Sequence, residues 1–319
     1  MAMDFGIFME FEIRRGGDQA SAFREGFDLV DAAEAWGLDG VWLGEMHFTP
    51  ARSVLSAPIV VASSIATRTK RLRIGMAVQV LPLNNPLRIA EEAATVDHIS
   101  EALEIILEAW KGEPFSYKGQ HFSFENATVA PRPYQLPHPP LRMAATTEET
   151  FPKVGEMGLP IFVGLRGMDI STLRHHVRAY RRAWRDAGHA GSGNVYLRIP
   201  VYAAATEEAA LEEPFDSITF YFSRQADLQQ SAVGRTGAGP AERLQARVER
   251  LAGLSYEQIL AERVAFGSAA GLIDRLSRLK EELTLDGVVA ELDAGGLIPA
   301  ERVKKSLAIL TREVMPAFK

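Results

Sequence analysis

Short β-rich runs alternate with longer segments of helical periodicity along most of the chain. The first predicted strand is 4–9, and the segment 20–36 after it is predicted as an amphipathic helix. Its apolar side chains recur at spacings of three and four: Phe23, Phe27, Val30 and Ala33. Repeated strand–helix units build parallel sheets, and 319 residues suit one large barrel. The alternation therefore predicts an α/β fold of the (β/α)8 TIM-barrel type, with insertions, that occupies 1–319 as a single domain.

The alternation fails at one junction. Further strands are predicted at 39–43, 72–80, 141–145, 160–164, 195–203 and 287–292. The helix that Pro86 opens, however, runs to about Ile99, and 101–110 is again helical. No strand is predicted between these two helices. The proline-rich stretch 120–140 that follows is predicted to be a small hairpin or a loop.

Charge and cysteine content exclude several classes of function. The formal net charge is −6 and the basic residues form no long run, which disfavours nucleic acid as a partner. The chain has no cysteine, so redox chemistry requires a bound cofactor. The amino terminus lacks the pattern of a secretory leader, and no stretch approaches the ~20 apolar residues of a membrane span. We therefore expect a cytoplasmic protein without a membrane partner.

Glu45 and His47 follow the second predicted strand, at the end of a barrel where active residues lie. Their spacing of two places both side chains on one face if the strand continues that far. A neutral histidine can pass a proton near neutral pH, so His47 is a candidate catalytic residue. A structural histidine at the rim and half of a metal site are the alternatives. The metal alternative lacks partners, because the sequence contains neither His-x-His nor His-Glu-x-x-His. We predict no metal.

A cluster of hydroxyl side chains follows the strand at 141–145 and comprises Thr146, Thr147 and Thr150. A turn from a strand into a helix offers free N–H groups that suit a phosphate. Thr146 and Glu149 also form a capping-box pattern, which would stabilise any helix start. The residues alone leave both interpretations open.

Taken in order, seven segments resemble the bacterial luciferase-like flavin monooxygenase family, and the resemblance covers nearly the whole chain. The segments are 3–8, 32–48, 64–81, 85–100, 158–160, 266–268 and 313–316. The resemblance implies a barrel that binds FMN, reduced by a separate flavin reductase, at its carboxyl-terminal mouth. Oxygen would add to flavin C4a, and the resulting hydroperoxide would oxidise a small organic substrate.

The same resemblance assigns roles to individual residues. It implies that His47, beside Glu45, is the active-site histidine and that Thr146, Thr147 and Thr150 lie near the flavin phosphate. It also implies a non-prolyl cis peptide between Ala77 and Val78, beneath the flavin ring. It further implies a homodimer that pairs through the helices at 57–66 and 87–99.

Two other functions remain open. One is a deazaflavin- or nicotinamide-dependent reductase of the same superfamily that transfers hydride. The other is a barrel that binds flavin without catalysis. The printed sequence departs from the family between Ser100 and Glu101, where members have a fourth strand and an arginine-bearing loop that reaches the phosphate. About 30 residues, one βα unit, are absent there. A barrel without this strand has two unpaired edges, so we expect that the sequence skips a segment.

Overall fold

A computed structural model describes residues 2–49, 52–78, 101–118, 123–129, 137–138, 140–233, 245, 248–249 and 251–319. The strands are β1 (Asp4–Met9), β2 (Gly40–Leu43), β3 (Arg73–Met76), β4 (Phe115–Lys118), β5 (Ser123–Ala127), β6 (Met143–Ala144), β7 (Ile161–Gly164), β8 (Val195–Ala203), β9 (Ala265–Gly267) and β10 (Gly287–Glu291). The helices are α1 (Gln19–Ala35), α2 (Pro58–Arg68), α3 (Glu101–Trp110), α4 (Thr150–Glu156), α5 (Ile170–Asp186), α6 (Glu207–Glu212), α7 (Phe215–Val233), α8 (Tyr256–Glu262), α9 (Ala269–Leu283) and α10 (Ala300–Ile309).

The main sheet is parallel and curled, in the order β3-β2-β1-β10-β8-β7-β6, and β9 pairs with the end of β8. Within the described residues, the strands β1, β2, β6, β7, β8, β9 and β10 are each followed along the chain by a helix. The α/β-barrel prediction is confirmed as an incomplete barrel. Within the residues that the structure describes, no strand joins β3 to β6. The prediction of a skipped segment concerns Ser100, which lies outside the described residues, as does the predicted helix 87–99.

The structure corrects the sequence prediction in three places. β9 is a three-residue strand that the sequence analysis did not predict. The hairpin of β4 and β5 begins before the predicted stretch 120–140, and it pairs outside the main sheet. The sequence also predicts a helix over 300–314, but this helix is α-helical only to Ile309, after which 310–314 forms a π-helical turn. In the described residues, no helix combines the length and the apolar character that a membrane crossing needs.

Alternate residues of each strand face opposite sides of the curled sheet. On β1, Phe5, Ile7 and Met9 belong to the main hydrophobic core beneath the helices. Gly6 lies on the other side, the inside of the barrel, where a Cβ would come within 2.7 Å of Trp42 Nε1. The Trp42 ring in turn meets Phe162 of β7 at 5.2 Å between centroids. Aromatic rings thus pack against each other on the inner side of the sheet.

Two buried ion pairs occupy that mouth. Arg52 donates two hydrogen bonds to the Glu10 carboxylate, at 2.5 and 3.0 Å. Arg198 of β8 donates two to Glu291 of β10, at 2.8 and 3.0 Å. All four side chains are at most 11% exposed. Burial alone would raise the pKa of Glu291, but the surrounding guanidiniums outweigh burial and hold this pKa below its ordinary value.

Glu12, just past β1, behaves in the opposite way. Arg224 of α7 donates to its Oε1 at 3.0 Å, while its Oε2 has no hydrogen-bond partner among the described residues. Burial, followed by the negative charges of Asp293 and Glu10, outweighs Arg224 and raises the pKa of Glu12 to about 8. Its side chain lines a cavity of about 140 Å³ between the strands β1 and β10 and the helices α1 and α10. At neutral pH this carboxyl is therefore mostly protonated.

A Glu12→Gln variant tests this protonation state. Glu12 has an ordinary pKa of 4.5 and a folded-state pKa of about 8. Between these values the unfolded chain releases a proton that the folded chain keeps, so stability falls as pH rises. We expect the free energy of unfolding of Glu12→Gln, relative to the unmodified protein, to rise by about 1 kcal/mol per pH unit between pH 5 and 8. Urea unfolding at several pH values measures it.

The matched control is Glu281→Gln, which changes an exposed carboxylate on α9. Its stability should follow the pH profile of the unmodified protein. If the Glu12→Gln profile also runs parallel to that of the unmodified protein, Glu12 is ionised in the folded state and the assignment is wrong.

Candidate active site

The segment after β2 carries the predicted Glu45 and His47. β2 ends at Leu43, and Gly44 passes so close to Phe8 that a Cβ would lie 2.9 Å from the Phe8 ring. Met46 N–H then donates to the Leu55 carbonyl at 3.0 Å, which joins the first part of this loop to its last part, just before α2. A residue without a side chain at Gly44 thus lets the chain bend over the mouth of the barrel.

The structure brings His47 and Glu45 together. Nε2 of His47 lies 2.7 Å from Oε1 of Glu45. The Glu45 side chain is 3% exposed and that of His47 is 27% exposed. A buried carboxylate that accepts the Nε2 proton orients the ring and leaves Nδ1 to exchange a proton with a bound molecule. The arrangement is that of a positioned base with its orienting carboxylate.

Phe48 extends the same loop into solvent. Its ring is 98% exposed, and its backbone has φ of 57°, a left-handed conformation that bulky residues rarely adopt. The ring centroid lies 5.9 Å from that of His47. An exposed aromatic ring beside the histidine offers an apolar wall to a molecule bound there.

Ala77 and Val78 follow β3, the neighbour of β2. The peptide bond between them is cis. Ala77 N–H donates to the Leu43 carbonyl at 2.7 Å, so this peptide lies beside the start of the His47 loop. The Val78 side chain is 45% exposed. The carboxyl ends of β2 and β3 therefore present an accessible apolar surface next to the His47–Glu45 pair.

The threonine cluster lies between β6 and α4. Thr147 and Thr150 share a hydrogen bond of 2.7 Å between their hydroxyls, and Thr146 and Thr147 are exposed. The helix begins at Thr150 with Glu149 as its N-cap, and no side chain caps it. The capping-box interpretation of Thr146 and Glu149 is wrong, because the turn places Glu149 itself at the cap. The Thr146 hydroxyl, and whichever of the Thr147 and Thr150 hydroxyls accepts their shared bond, therefore keep a proton to donate to a ligand.

These residues fit a flavin in two respects. The surface at Ala77 and Val78 suits an apolar ring, and the hydroxyls of the threonine cluster suit a phosphate. The exposed carboxylates of Glu148 and Glu149 oppose an anion at that turn. The arginine-bearing loop that the resemblance implies is absent from the sequence. In the described part of the chain, no three His, Cys, Asp or Glu side chains converge to hold a metal ion.

Sequence analysis missed the charged residues of the mouth, among them Arg198 and Glu291. Arg198 lies in β8 (Val195–Ala203) and Glu291 in β10 (Gly287–Glu291), and both strands are otherwise mostly apolar. A charge inside an apolar strand is a usable signal, because a buried charge is retained only when it is paired. The sequence cannot say which two charges pair. The arginine and the glutamate meet only because β8 and β10 are neighbours.

Comparison with known proteins identifies the family of this sequence. The sequence model of the luciferase-like monooxygenase family matches residues 3–101 and 99–286. The two matched portions overlap at 99–101, the junction where the resemblance predicts a missing segment. The oxygenase component of flavin-dependent trigonelline monooxygenase from Acinetobacter baylyi is 24% identical over 365 aligned positions, covering 99% of this chain and 96% of that protein. An uncharacterized protein, y4wF, of Sinorhizobium fredii is 32% identical over 179 residues, which span 46% of this chain and about half, 52%, of the relative.

Solved structures share the fold across the whole chain. The oxygenating constituent of 3,6-diketocamphane monooxygenase from a Pseudomonas putida plasmid, in complex with FMN, has a TM-score of 0.79 at 18% identity and covers 99% of both chains. The coenzyme F420-dependent tetrahydromethanopterin reductase of Methanopyrus kandleri has a TM-score of 0.76 at 17% identity, with full coverage of both chains. At these identities the likeness concerns the fold alone. Because the family's sequence model matches most of the chain, this protein belongs to the luciferase-like monooxygenase family.

Proposed function

We propose that this chain is the oxygenase of a two-component flavin-dependent monooxygenase. It takes reduced FMN from a separate flavin reductase and uses O2 to oxidise a small organic substrate. One observation carries the proposal: the His47–Glu45 pair and the Ala77–Val78 surface lie side by side on adjacent strands, joined by the Ala77 to Leu43 hydrogen bond. The family membership and the relative named as an oxygenase component support it.

The chain's own residues would bind, orient and move protons. Reduced FMN, when bound, supplies the electrons and the reaction with oxygen. Val78 would support the flavin ring from below, and the hydroxyls of Thr146, Thr147 and Thr150 would hold its phosphate. His47, oriented by Glu45, would exchange a proton through Nδ1 at the reacting edge. The exposed ring of Phe48 would cover this edge and exclude water from it.

Formation of an oxygenated product separates the proposal from its alternatives. Reduced FMN consumes O2 even without protein, and a monooxygenase converts part of that consumption into oxygenated product when a substrate is added. A reductase that uses deazaflavin or nicotinamide transfers hydride without forming an oxygenated product. A non-catalytic barrel binds the flavin without either reaction. The fold is shared with both a monooxygenase and an F420-dependent reductase, so only this measurement chooses between them.

Replacement of His47 tests the proton-transfer role. His47→Ala removes an exchanging group whose contribution is about 10²- to 10⁴-fold, so product formation should fall by this factor while FMN affinity is kept. Glu45→Gln, which keeps a partner for the ring but removes the charge, should show a smaller loss and a shifted pH profile. Product formed per O2 consumed is the readout. Unchanged product yield in His47→Ala would make His47 structural.

Replacement of Thr147 tests the phosphate contact. Thr147→Val removes a hydroxyl that would donate a hydrogen bond to the charged phosphate. This loss should weaken FMN binding by about 1.5–3 kcal/mol. Riboflavin, which lacks the phosphate, should bind both forms equally. Thr172→Val, an exposed change on α5, is the control and should leave both affinities unaltered. An equal loss for FMN and riboflavin would count against a phosphate role.

We also propose a single-domain protein that acts in the cytoplasm as a homodimer. The outward face of α2 supports an association surface, because Val60 is 62% exposed there and small side chains surround it. Sedimentation at micromolar protein concentration measures the assembly directly.

A further inference from the structure

Arg166 lies in the short loop that follows β7. The buried guanidinium of Arg263, at the end of α8, donates to the carbonyl of Leu165 at 2.9 Å and also to that of Met168. The Arg263 side chain is 3% exposed. These bonds to the two ends of the loop hold Arg166 in a fixed turn at the mouth of the barrel.

The pattern of burial shows which way Arg166 faces. Ile161, Val163 and Leu165 are buried in the main core beneath the helices. Phe162, between them, faces the inside of the barrel, where it meets Trp42. If the alternation continues past the end of β7, Arg166 lies on the inner side. Its half-buried position, between the core and solvent, agrees with this placement.

The charge of Arg166 reaches the buried polar groups of the mouth. Burial would raise the pKa of Glu291, but the charge of Arg198, followed by that of Arg166, lowers it. Burial raises the pKa of Tyr221 as well, and the Arg166 charge opposes this increase. Because such effects act over short range, Arg166 lies near the end of β10, which only β8 separates from β7 in the sheet.

The neighbouring arginines are already paired. Arg52 binds the ionised Glu10, and Arg198 binds the ionised Glu291. Arg166, by contrast, forms no hydrogen bond or ion pair with any other residue of the described ranges. A half-buried guanidinium whose five N–H donors are unused can bind a planar oxyanion with two parallel hydrogen bonds.

We propose that Arg166, held in place by Arg263, binds an anionic group of the substrate, and that this group is a carboxylate. The inference rests on the proposed function, in which the substrate lies at this mouth. Trp42 and Phe162 place aromatic rings on the inner side of the sheet, the side that Arg166 faces, which favours a carboxylate carried on an apolar or aromatic body. The FMN phosphate is the other oxyanion that this guanidinium can bind.

Benzoate and its neutral analogue benzamide test the proposal. Each is titrated calorimetrically into the full chain, with and without FMN. The unmodified protein should bind benzoate more tightly than benzamide. Arg166→Gln should weaken benzoate by about 10- to 100-fold and leave benzamide unchanged. Arg166→Lys keeps the charge but loses the bidentate geometry, so its affinity for benzoate should lie between those of the unmodified protein and Arg166→Gln. This variant decides the question if Arg166→Gln does not fold.

The matched control is Arg178→Gln, an exposed arginine on the outer face of α5. It should bind both probes as the unmodified protein does. Equal binding of benzoate by the unmodified protein and Arg166→Gln, or no preference of the unmodified protein for benzoate over benzamide, overturns the proposal. So does a loss in Arg166→Gln confined to FMN, with riboflavin and benzoate unaffected, since Arg166 then serves the flavin phosphate. These titrations need no turnover, so their failure is separate from a failure of FMN-driven formation of an oxygenated product.

Discussion

The ion pair between Arg52 and Glu10 connects the fold to the candidate active site. Glu10 directly follows β1, and Arg52 lies in the loop that also carries Glu45 and His47. Both side chains are at most 8% exposed, so neither charge has water to replace a lost partner. Removing one member of such a pair costs about 3–5 kcal/mol. The loop that carries His47 is therefore held to the barrel by the Arg52–Glu10 ion pair, which must break before this loop can move away from the barrel.

The second ion pair extends this constraint around the mouth. Arg198 holds Glu291 and also approaches Glu10 at 3.8 Å, so the ends of β1, β8 and β10 share one charge network. The hydrogen bond from Ala77 to Leu43 continues the connection to β3. Parallel strands place all these ends on one side of the sheet. The proposed flavin surface, proton-transfer pair and substrate arginine are thereby positioned by the same scaffold.

Much of the architecture is legible in the sequence because its signals are local. β1 and α3 occur at the predicted residues, since periodicity and strand composition decide both. The Glu45–His47 contact was also predictable, because the two residues are only two positions apart. β9 was missed because three residues carry no period, and the sheet alone stabilises it. The Arg263 clamp on the Arg166 loop joins residues almost a hundred positions apart, and no local pattern encodes it.

The central claim is that the carboxyl ends of β2, β3 and β6 form one flavin site. Hydrogen–deuterium exchange of the full chain, measured anaerobically with and without reduced FMN, tests it most directly. The account predicts slower exchange together at 44–48, at 75–78 and at 145–150, and unchanged exchange along α9. Protection at saturating FMN that omits these three segments, or that lies instead around the cavity between α1 and α10, would contradict it.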